Sequence, residues 1–410
     1  MKFRHFKFGE SKDNQYYTYD QYGDNSMFAI GPAGLIGLPG AETFTSQVND
    51  KLIIRRQEYL NNWEPDELTP GFLRDDYRIP VDLVRFSSGE GKAVINSTVR
   101  GHDLYLIVDP MNYNVTYKMF GFDNHTSPDD HYQNLVRTIL AISGKAQRIN
   151  VIMPFLYEGR QHRRSARESL DCAYMLEELI SLGVINFITF DAHDERVSNS
   201  VPLSGFESIP TAYQILKAIV RTVPDLDFSP DKLMVVSPDE GAINRAVYYA
   251  SMLGLKLGTF YKRRDYSVIE GGRNPIVAHE FLGTSVEGYD ILIVDDMIAS
   301  GDSMLDLAIN LKARGARRIF CVASFGLFTD GPERFNKAYE DGLISHVFCT
   351  NLTYHSPEVL NVPWFAEADM TKFVALLIDS LNHNASLTSL LDPSQKIQKL
   401  LDKHKSEPAE

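Results

Sequence analysis

Residues 291–303 read Ile-Leu-Ile-Val-Asp-Asp-Met-Ile-Ala-Ser-Gly-Asp-Ser. The apolar run Ile291–Val294 has the length and β-branching of a buried parallel strand. Two carboxylates, Asp295 and Asp296, follow it, then a turn of small residues. Apolar positions Met304, Leu307, Ala308 and Leu311 next recur at helical spacing, and Gly315 stops the helix. A phosphate at that turn would meet the backbone N–H groups of Ser300, Gly301, Asp302 and Ser303 at a positive helix end. Asp295 and Asp296, just upstream, would accept hydrogen bonds from vicinal hydroxyls. Phosphate at one end and diol at the other describes ribose 5-phosphate. The alternative is an Asp-Asp pair that merely ends an ordinary α/β strand.

Outward from this stretch the same pattern repeats. Strands are expected at Asp103–Val108, Asn150–Met153, Asn186–Phe190, Lys232–Val236, Lys256–Phe260, Asp290–Val294 and Arg318–Ala323, with helical patterns between them. That alternation means βαβ units and a largely parallel sheet. Several strands run into polar clusters, at Tyr157–Arg164, Asp191–Asp194, Ser237–Gly241 and Asp295–Ser303. Ligands of open α/β sheets bind at the carboxyl ends of strands, so these clusters outline an active-site rim built twice. Pro224 and Pro230 flank an acidic, turn-prone stretch, which places a divide within Thr222–Pro230. The expected fold is α/β, with two doubly wound, mainly parallel-sheet domains.

A chain of 410 residues with 44% hydrophobic content holds two such domains. Its net charge of -13 argues against an extended nucleic-acid surface, which needs a basic face. Cys172, Cys321 and Cys349 are odd in number, far apart and form no CxxC. Neither a disulfide framework nor a zinc site is indicated, and a reducing cytosol fits. The opening Met-Lys-Phe-Arg-His-Phe-Lys lacks the apolar core of a signal peptide, and no apolar run of about 18 residues exists to span a membrane.

The ends are less regular. Asp13–Tyr22 is polar and tyrosine-rich; Gly31–Gly40 reads as a glycine-rich turn leading into a helix from about Ala41 to Leu60. It lacks the Gly-Lys-Ser/Thr ending of a nucleotide P-loop. Trp63–Tyr77 reads as an irregular connection, and Pro393–Glu410 as a charged, frayed tail with an amphipathic pattern at Ile397, Leu400 and Leu401.

Three constellations carry further chemistry. Arg160, His162, Arg163, Arg164 and Arg167 crowd a segment with only Glu158 against them. They form either a solvated face or a polyphosphate site, and the missing counter-charges favour the second. Tyr261-Lys262-Arg263-Arg264 precedes a stretch with Gly271-Gly272 and Asn274-Pro275. That is a surface charge run or a mobile loop that brings cations to a reacting phosphate. His193 and Asp239 each sit just past an expected strand. Magnesium prefers oxygen ligands, which makes Asp239 the better candidate on chemistry alone.

The 291–303 motif resembles the phosphoribosyl pyrophosphate (PRPP) motif shared by phosphoribosyltransferases and ribose-phosphate pyrophosphokinases. Across roughly residues 82–393 the order of segments resembles the second family. Phe86-Ser87-Ser88-Gly89-Glu90 is similar to its Phe-Ser-Asp-Gly-Glu loop, which contacts the nucleotide of a neighbouring subunit, and Val99–Tyr105 to the segment after it. Arg160-Gln161-His162 stands where the family has Arg-Gln-Asp. Asp191-Ala192-His193-Asp194 is similar to its Asp-Leu-His-Ala metal segment, Ser237-Pro238-Asp239 to a second metal-linked segment, and Lys262-Arg263-Arg264 to its catalytic loop. Phe365–Leu391 is similar to the closing helix.

The resemblance implies transfer of the pyrophosphoryl group of ATP to the 1-hydroxyl of ribose 5-phosphate, giving PRPP and AMP, with Mg2+, in a cytoplasmic homo-oligomer, a dimer or hexamer. It implies catalytic roles for Lys262 and Arg264, and ribose 5-phosphate binding by Asp295, Asp296, Ser300, Gly301, Asp302 and Ser303. ATP would be bound by Phe86, Ser88, Glu90, Arg160, Gln161 and His162, and metal by His193 and Asp239. The implied division is an N-terminal extension at 1–80 holding part of the first strand and helix, α/β domains of phosphoribosyltransferase type at 81–223 and 224–355, a helix at 356–393 that returns to the first domain, and a charged tail at 394–410. Ser88, His162, Glu240-Gly241-Ala242 and Ala299–Ser303 depart from the family pattern, and Asp302 puts a carboxylate beside the expected 5-phosphate. A transferase consuming PRPP and a non-catalytic regulatory paralogue are the competing readings.

Overall fold

The computed structural model describes residues 29–62, 64, 68–164, 166–264 and 276–406, with the side chains of 262–264 and 276–279 left aside. The expected features at Asp13–Tyr22, Trp63, Gly271-Gly272 and Asn274-Pro275 lie outside the described residues.

The first sheet holds five parallel strands. It begins with β1 (Ala33–Gly37). An antiparallel ribbon, β2 (Val81–Arg85) with β3 (Gly91–Ile95), leads to β4 (Asp103–Ile107). A second ribbon, β5 (Thr116–Met119) with β6 (Phe122–His125), leads to β7 (Arg148–Ile152), β8 (Val184–Phe190) and β9 (Gly205–Ile209). The sheet order is β1-β4-β7-β8-β9. The second sheet holds β10 (Leu233–Ser237), β11 (Lys256–Arg264), β12 (Ile276–Leu282), β13 (Asp290–Ile298), β14 (Ile319–Gly326), β15 (His346–Thr350) and β16 (Phe365–Ala368). Its order β12-β11-β10-β13-β14-β15-β16 reverses direction between β10 and β13, and only β12 runs antiparallel. Such a reversal opens a crevice at the carboxyl ends of the strands on either side of it. The α/β, mainly parallel architecture expected from the pattern is the one observed.

Each sheet is apolar on both faces, as parallel strands covered by helices must be. In the first sheet Leu104, Leu106 and Val151 pack on the helices Pro128–Ile142 and Asp171–Ser181. Tyr105, Ile107 and Ile152 face the helices Glu42–Gln57 and Thr371–Asn382. The helix Pro128–Ile142 begins where the sequence supplies a complete start signal. Ser127 accepts from the Asp130 N–H, the Asp130 carboxylate accepts from the Ser127 N–H, and Pro128 fills the first turn. The helix Thr371–Asn382 is fixed to the first sheet by charge. Asp379 takes both the fully buried Arg56 and Arg55, while Asn382 bonds Asp103 and Arg56. Removing one partner of such a buried pair typically costs roughly 3–5 kcal/mol.

Several segments differ from the sequence expectation, among them Phe365–Ala368, which was expected to open the closing helix but forms the edge strand β16 beside β15. The glycine-rich stretch 31–40 contains β1 rather than only a turn, because its glycines permit close packing. A Cβ on Gly34 would come within 2.5 Å of Ile79, and one on Gly37 within 2.6 Å of the Thr45 hydroxyl. β11 continues through Lys262–Arg264 instead of ending at Phe260, since β12 returns beside it and pairs Lys262 with His279. β13 continues to Ile298, four residues past the expected end. Residues 394–406 form a helix, not a frayed tail. Ile397 and Leu401 are buried among Ile215, Leu216, Tyr249 and Leu253, so the amphipathic pattern wins over the charge.

The halves also meet through loops. Asp109, buried just past β4, accepts hydrogen bonds from the N–H of Met111 at 3.0 Å and of Tyr354, beyond β15, at 2.7 Å. Burial raises its carboxyl to about 7. Among the described residues no helix is long and apolar enough to cross a membrane.

Candidate active site

Asp295 and Asp296 lie inside β13, opposite a β14 that extends equally far, with Asp295 paired to Ala323 and Met297 to Phe325. Despite their consecutive positions on the strand, the two carboxyls interact directly. Asp296 is buried and accepts from His193 Nδ1 at 2.7 Å, which joins the end of the first sheet to the second. Asp295 accepts the Asp296 N–H at 2.8 Å. Burial, together with the Asp296 charge, pushes Asp295 well above the usual carboxylate range. Burial also opposes the Asp296 charge, but His193 and Arg245 outweigh it and hold Asp296 below that range. The same hydrogen bond raises His193 against the effect of its own burial. Ligating histidines characteristically bond a carboxylate through one ring nitrogen, and His193 has that arrangement, with Nε2 as the second nitrogen.

The turn after β13 is built on Gly301, whose φ is 88°. Any Cβ there would also fall 2.3 Å from the buried ring of Phe335. The helix Asp302–Ala313 starts immediately; the Asp302 N–H donates to the Ser300 hydroxyl at 3.4 Å, and helix geometry leaves the next N–H groups without intrahelical partners. Asp302 is the residue whose charge conflicts with a phosphate. Its carboxylate accepts from the Ser300 hydroxyl at 3.0 Å and pairs with Arg334, at the start of the helix Glu333–Glu340. A guanidinium already answers its charge. Arg334 was not legible as part of the site, because nothing local links it to residue 302.

The arginine-rich segment separates into two parts. Arg160 lines a pocket with Phe155, Asp191, His193, Asp296 and Met297, and its guanidinium lies 2.6 Å from the Met297 sulfur. Arg163, Arg164 and Arg167 are exposed. His162 lies beside His193, with Nε2 3.2 Å from Asp194 and its ring 5.6 Å from that of His193. Its buried Nδ1 has no hydrogen-bond partner among the described residues. Gln161 is exposed, and its N–H bonds the Glu158 carbonyl.

Asp191, which the sequence placed in a rim cluster without a role of its own, is a member of this region. Its φ is 38°, unfavourable for a residue with a Cβ. One carboxylate oxygen accepts from the Thr211 N–H at 3.1 Å, the Thr211 hydroxyl at 2.6 Å and the Ser324 hydroxyl at 2.5 Å. Arg245 donates to its carbonyl at 3.2 Å. Asp191 and His193 thus attach one loop of the first sheet to β14 and to β13. The visible signal was only a carboxylate two residues before a histidine.

Other expected residues are placed elsewhere. Asp239 accepts from the N–H groups of Gly241 and Ala242, at the start of the helix Ile243–Leu253. Among the described residues no three His, Cys, Asp or Glu side chains form a group able to hold a metal. His193 Nε2 is a single nitrogen donor, and magnesium prefers oxygen ligands. Phe86–Glu90 is the tip of the β2–β3 ribbon. Ser88 donates to Glu90 at 2.9 Å, Phe86 is half-exposed, and the Ser87 carbonyl accepts from the Phe120 N–H. Lys262 and Arg264 belong to the end of β11, and their side chains lie outside the described residues.

Comparison with known proteins agrees with this geometry. The N-terminal domain of ribose phosphate pyrophosphokinase matches residues 75–183, and the phosphoribosyl transferase domain matches residues 206–349. The ribose-phosphate pyrophosphokinase of Thermotoga maritima is 30% identical over 291 residues, 68% of this chain and 82% of that one. That of Vibrio cholerae is 28% identical over 314 residues, 75% of this chain and 90% of that one. The crystal structure of phosphoribosylpyrophosphate synthetase from Mycobacterium smegmatis superposes with a TM-score of 0.66 at 19% identity, covering 86% of this chain and 99% of that one, which shows the shared fold. Fold and crevice define a protein of the phosphoribosyl-binding class. Within that class the chain belongs to the ribose-phosphate pyrophosphokinase family and is an enzyme.

Proposed function

We propose that the enzyme transfers the pyrophosphoryl group of ATP to the 1-hydroxyl of ribose 5-phosphate, releasing AMP and forming PRPP. The observation that carries this reading is the turn at 300–303. It offers a helix N-terminus on a positive-φ glycine, with the one conflicting carboxylate engaged by Arg334. Ser300, Gly301, Asp302 and Ser303 would hold the 5-phosphate through their backbone. Asp296, kept ionised, would accept from a ribose hydroxyl, and Asp295, which ionises less readily, would donate to or accept from its neighbour.

The bond that forms joins the sugar 1-oxygen to the β-phosphorus, and the bond that breaks joins that phosphorus to the oxygen of the departing AMP. Such chemistry asks a protein mainly for alignment and charge neutralisation. Arg160 and His162, beside Asp296 and His193, would take polyphosphate oxygens, with Gln161 next to them. Lys262 and Arg264 would neutralise the transferring group. Mg2+ would neutralise phosphate charge, with His193 and Asp239 as the residues that would hold it. Phe86, Ser88 and Glu90 would contact the adenine, supplied by a neighbouring copy in a homo-oligomer acting in the cytoplasm.

The test is incubation of the purified protein with ATP, ribose 5-phosphate and Mg2+. AMP and PRPP appearing together, and only with the sugar present, is the expected result. Consumption of PRPP with a nitrogenous base and no AMP would reassign the chain to transfer, and neither activity would make it a regulatory paralogue.

A further inference from the structure

The β5–β6 ribbon is firmly placed. The Arg85 guanidinium lies 4.4 Å over the Tyr117 ring, the Tyr117 hydroxyl bonds Asp130 at 3.3 Å, and the Thr126 N–H bonds the Val115 carbonyl. Its tip is bare: Phe120 is 75% exposed and Phe122 73%. Phe120 and Gly121 have φ of 48° and 82°, the signature of a two-residue type I′ turn. The first position of that turn suits Asn, Asp or Gly, and a bulky side chain there is strained. Neither local conformation nor core packing therefore accounts for phenylalanine at 120. Strain retained without a packing reward points to a function.

The tip is coupled to one neighbour. The Phe120 N–H donates to the Ser87 carbonyl at 2.8 Å. Met119 lies so close to Gly89, whose φ is 93°, that a Cβ there would come within 2.5 Å of its sulfur. Two hairpin tips are thereby locked together, each presenting an exposed ring, Phe120 on one and Phe86 on the other.

We propose that Phe120 is a second aromatic contact for the purine base of the nucleotide, acting beside Phe86; this rests on the reading of Phe86–Glu90 as the nucleotide loop. A ring face recognises any base by stacking and cannot tell one purine edge from another. Phe120 therefore sets affinity for the purine, and Ser88 and Glu90 set the choice between purines.

The experiment uses the full-length protein with Phe120→Asn and Phe86→Ala, measuring KM for ATP and GTP, KM for ribose 5-phosphate, Tm and sedimentation. Phe120→Asn should raise KM for both nucleotides by about tenfold, the scale of losing one stacked ring, and leave ribose 5-phosphate unchanged. Because asparagine suits the turn, Tm should rise. An unchanged nucleotide KM in Phe120→Asn, with a raised one in Phe86→Ala, would overturn the inference and spare the nucleotide loop. Unchanged values in both variants would overturn the nucleotide loop and the inference with it. A fall in Tm or loss of the oligomer would assign the ring to folding or self-association and overturn it equally.

Discussion

The phosphate turn at 300–303 and the hairpin tip at 86–90 both depart from the sequence of their family, and they absorb the departure differently. In the proposed reaction the turn would recognise with backbone. Asp302 occupies a position where a carboxylate is unwelcome, but its charge is met by Arg334. The hairpin tip would recognise with side chains. Ser88 not only lacks the acid's charge but donates to Glu90, so one substitution changes two groups that the proposed loop would offer to a base. A backbone site tolerates a foreign side chain if it can be engaged elsewhere, whereas a side-chain site inherits the chemistry of whatever stands there.

The largest test of that contrast lies where neither kind of recognition operates. Lys262→Ala should lower kcat by about 10²-fold, the scale of removing one preorganised charge-stabilising group, with Tm unchanged. An unaltered kcat would remove the strand end at 262–264 from the mechanism. Gly301→Ala should break the backbone site outright. Positive φ and the Phe335 clash act together, and a rise of about tenfold or more in the dissociation constant for ribose 5-phosphate is expected, with ATP binding kept. Calorimetric titration of each ligand separately decides this, and equal losses for both would mean the turn supports the whole cleft.

Smaller effects probe how the departures are accommodated. Arg334→Ala frees the Asp302 carboxylate and should weaken ribose 5-phosphate binding by about 2- to 5-fold, since the pair is half-exposed and worth at most about 1 kcal/mol. Asp302→Asn in the same background should restore affinity; failure to restore would place the cost on Arg334 itself. Ser88→Asp should increase the ATP over GTP ratio of kcat/KM a few-fold, because a carboxylate accepts from an exocyclic amine and cannot donate to a guanine carbonyl. An untouched ratio would detach the hairpin tip from base choice.

Much of this was legible because it follows chemical periodicity. β13, its turn and the helix to Ala313 are contiguous, and an apolar strand followed by a helical stripe reveals them. β1 was hidden because strand glycines chosen for close packing read as a turn. The two ribbons were hidden because each strand has four or five residues with only one partner, too short and too exposed for an apolar run. Within the site, His193 and Asp296 were each visible, but the hydrogen bond between them spans 103 residues. Asp191, Arg245 and Arg334 also act through partners well beyond local spacing, Thr211 and Ser324 for Asp191, Asp191 for Arg245 and Asp302 for Arg334.

Asp109 gives the seam between the two halves a dependence on acidity. The folded state binds its proton more tightly than the unfolded chain, holding the carboxyl at about 7 where a free one loses its proton near the ordinary carboxylate value. This contribution to stability is complete below that ordinary value, declines as pH rises towards 7, and is lost above it, at no more than about 1.4 kcal/mol per pH unit. Comparing Tm of the wild type and Asp109→Asn from pH 4.5 to pH 8 should show the difference moving in favour of the variant up to about pH 7 and then levelling. Mild acid should therefore close the junction and mild alkali loosen it.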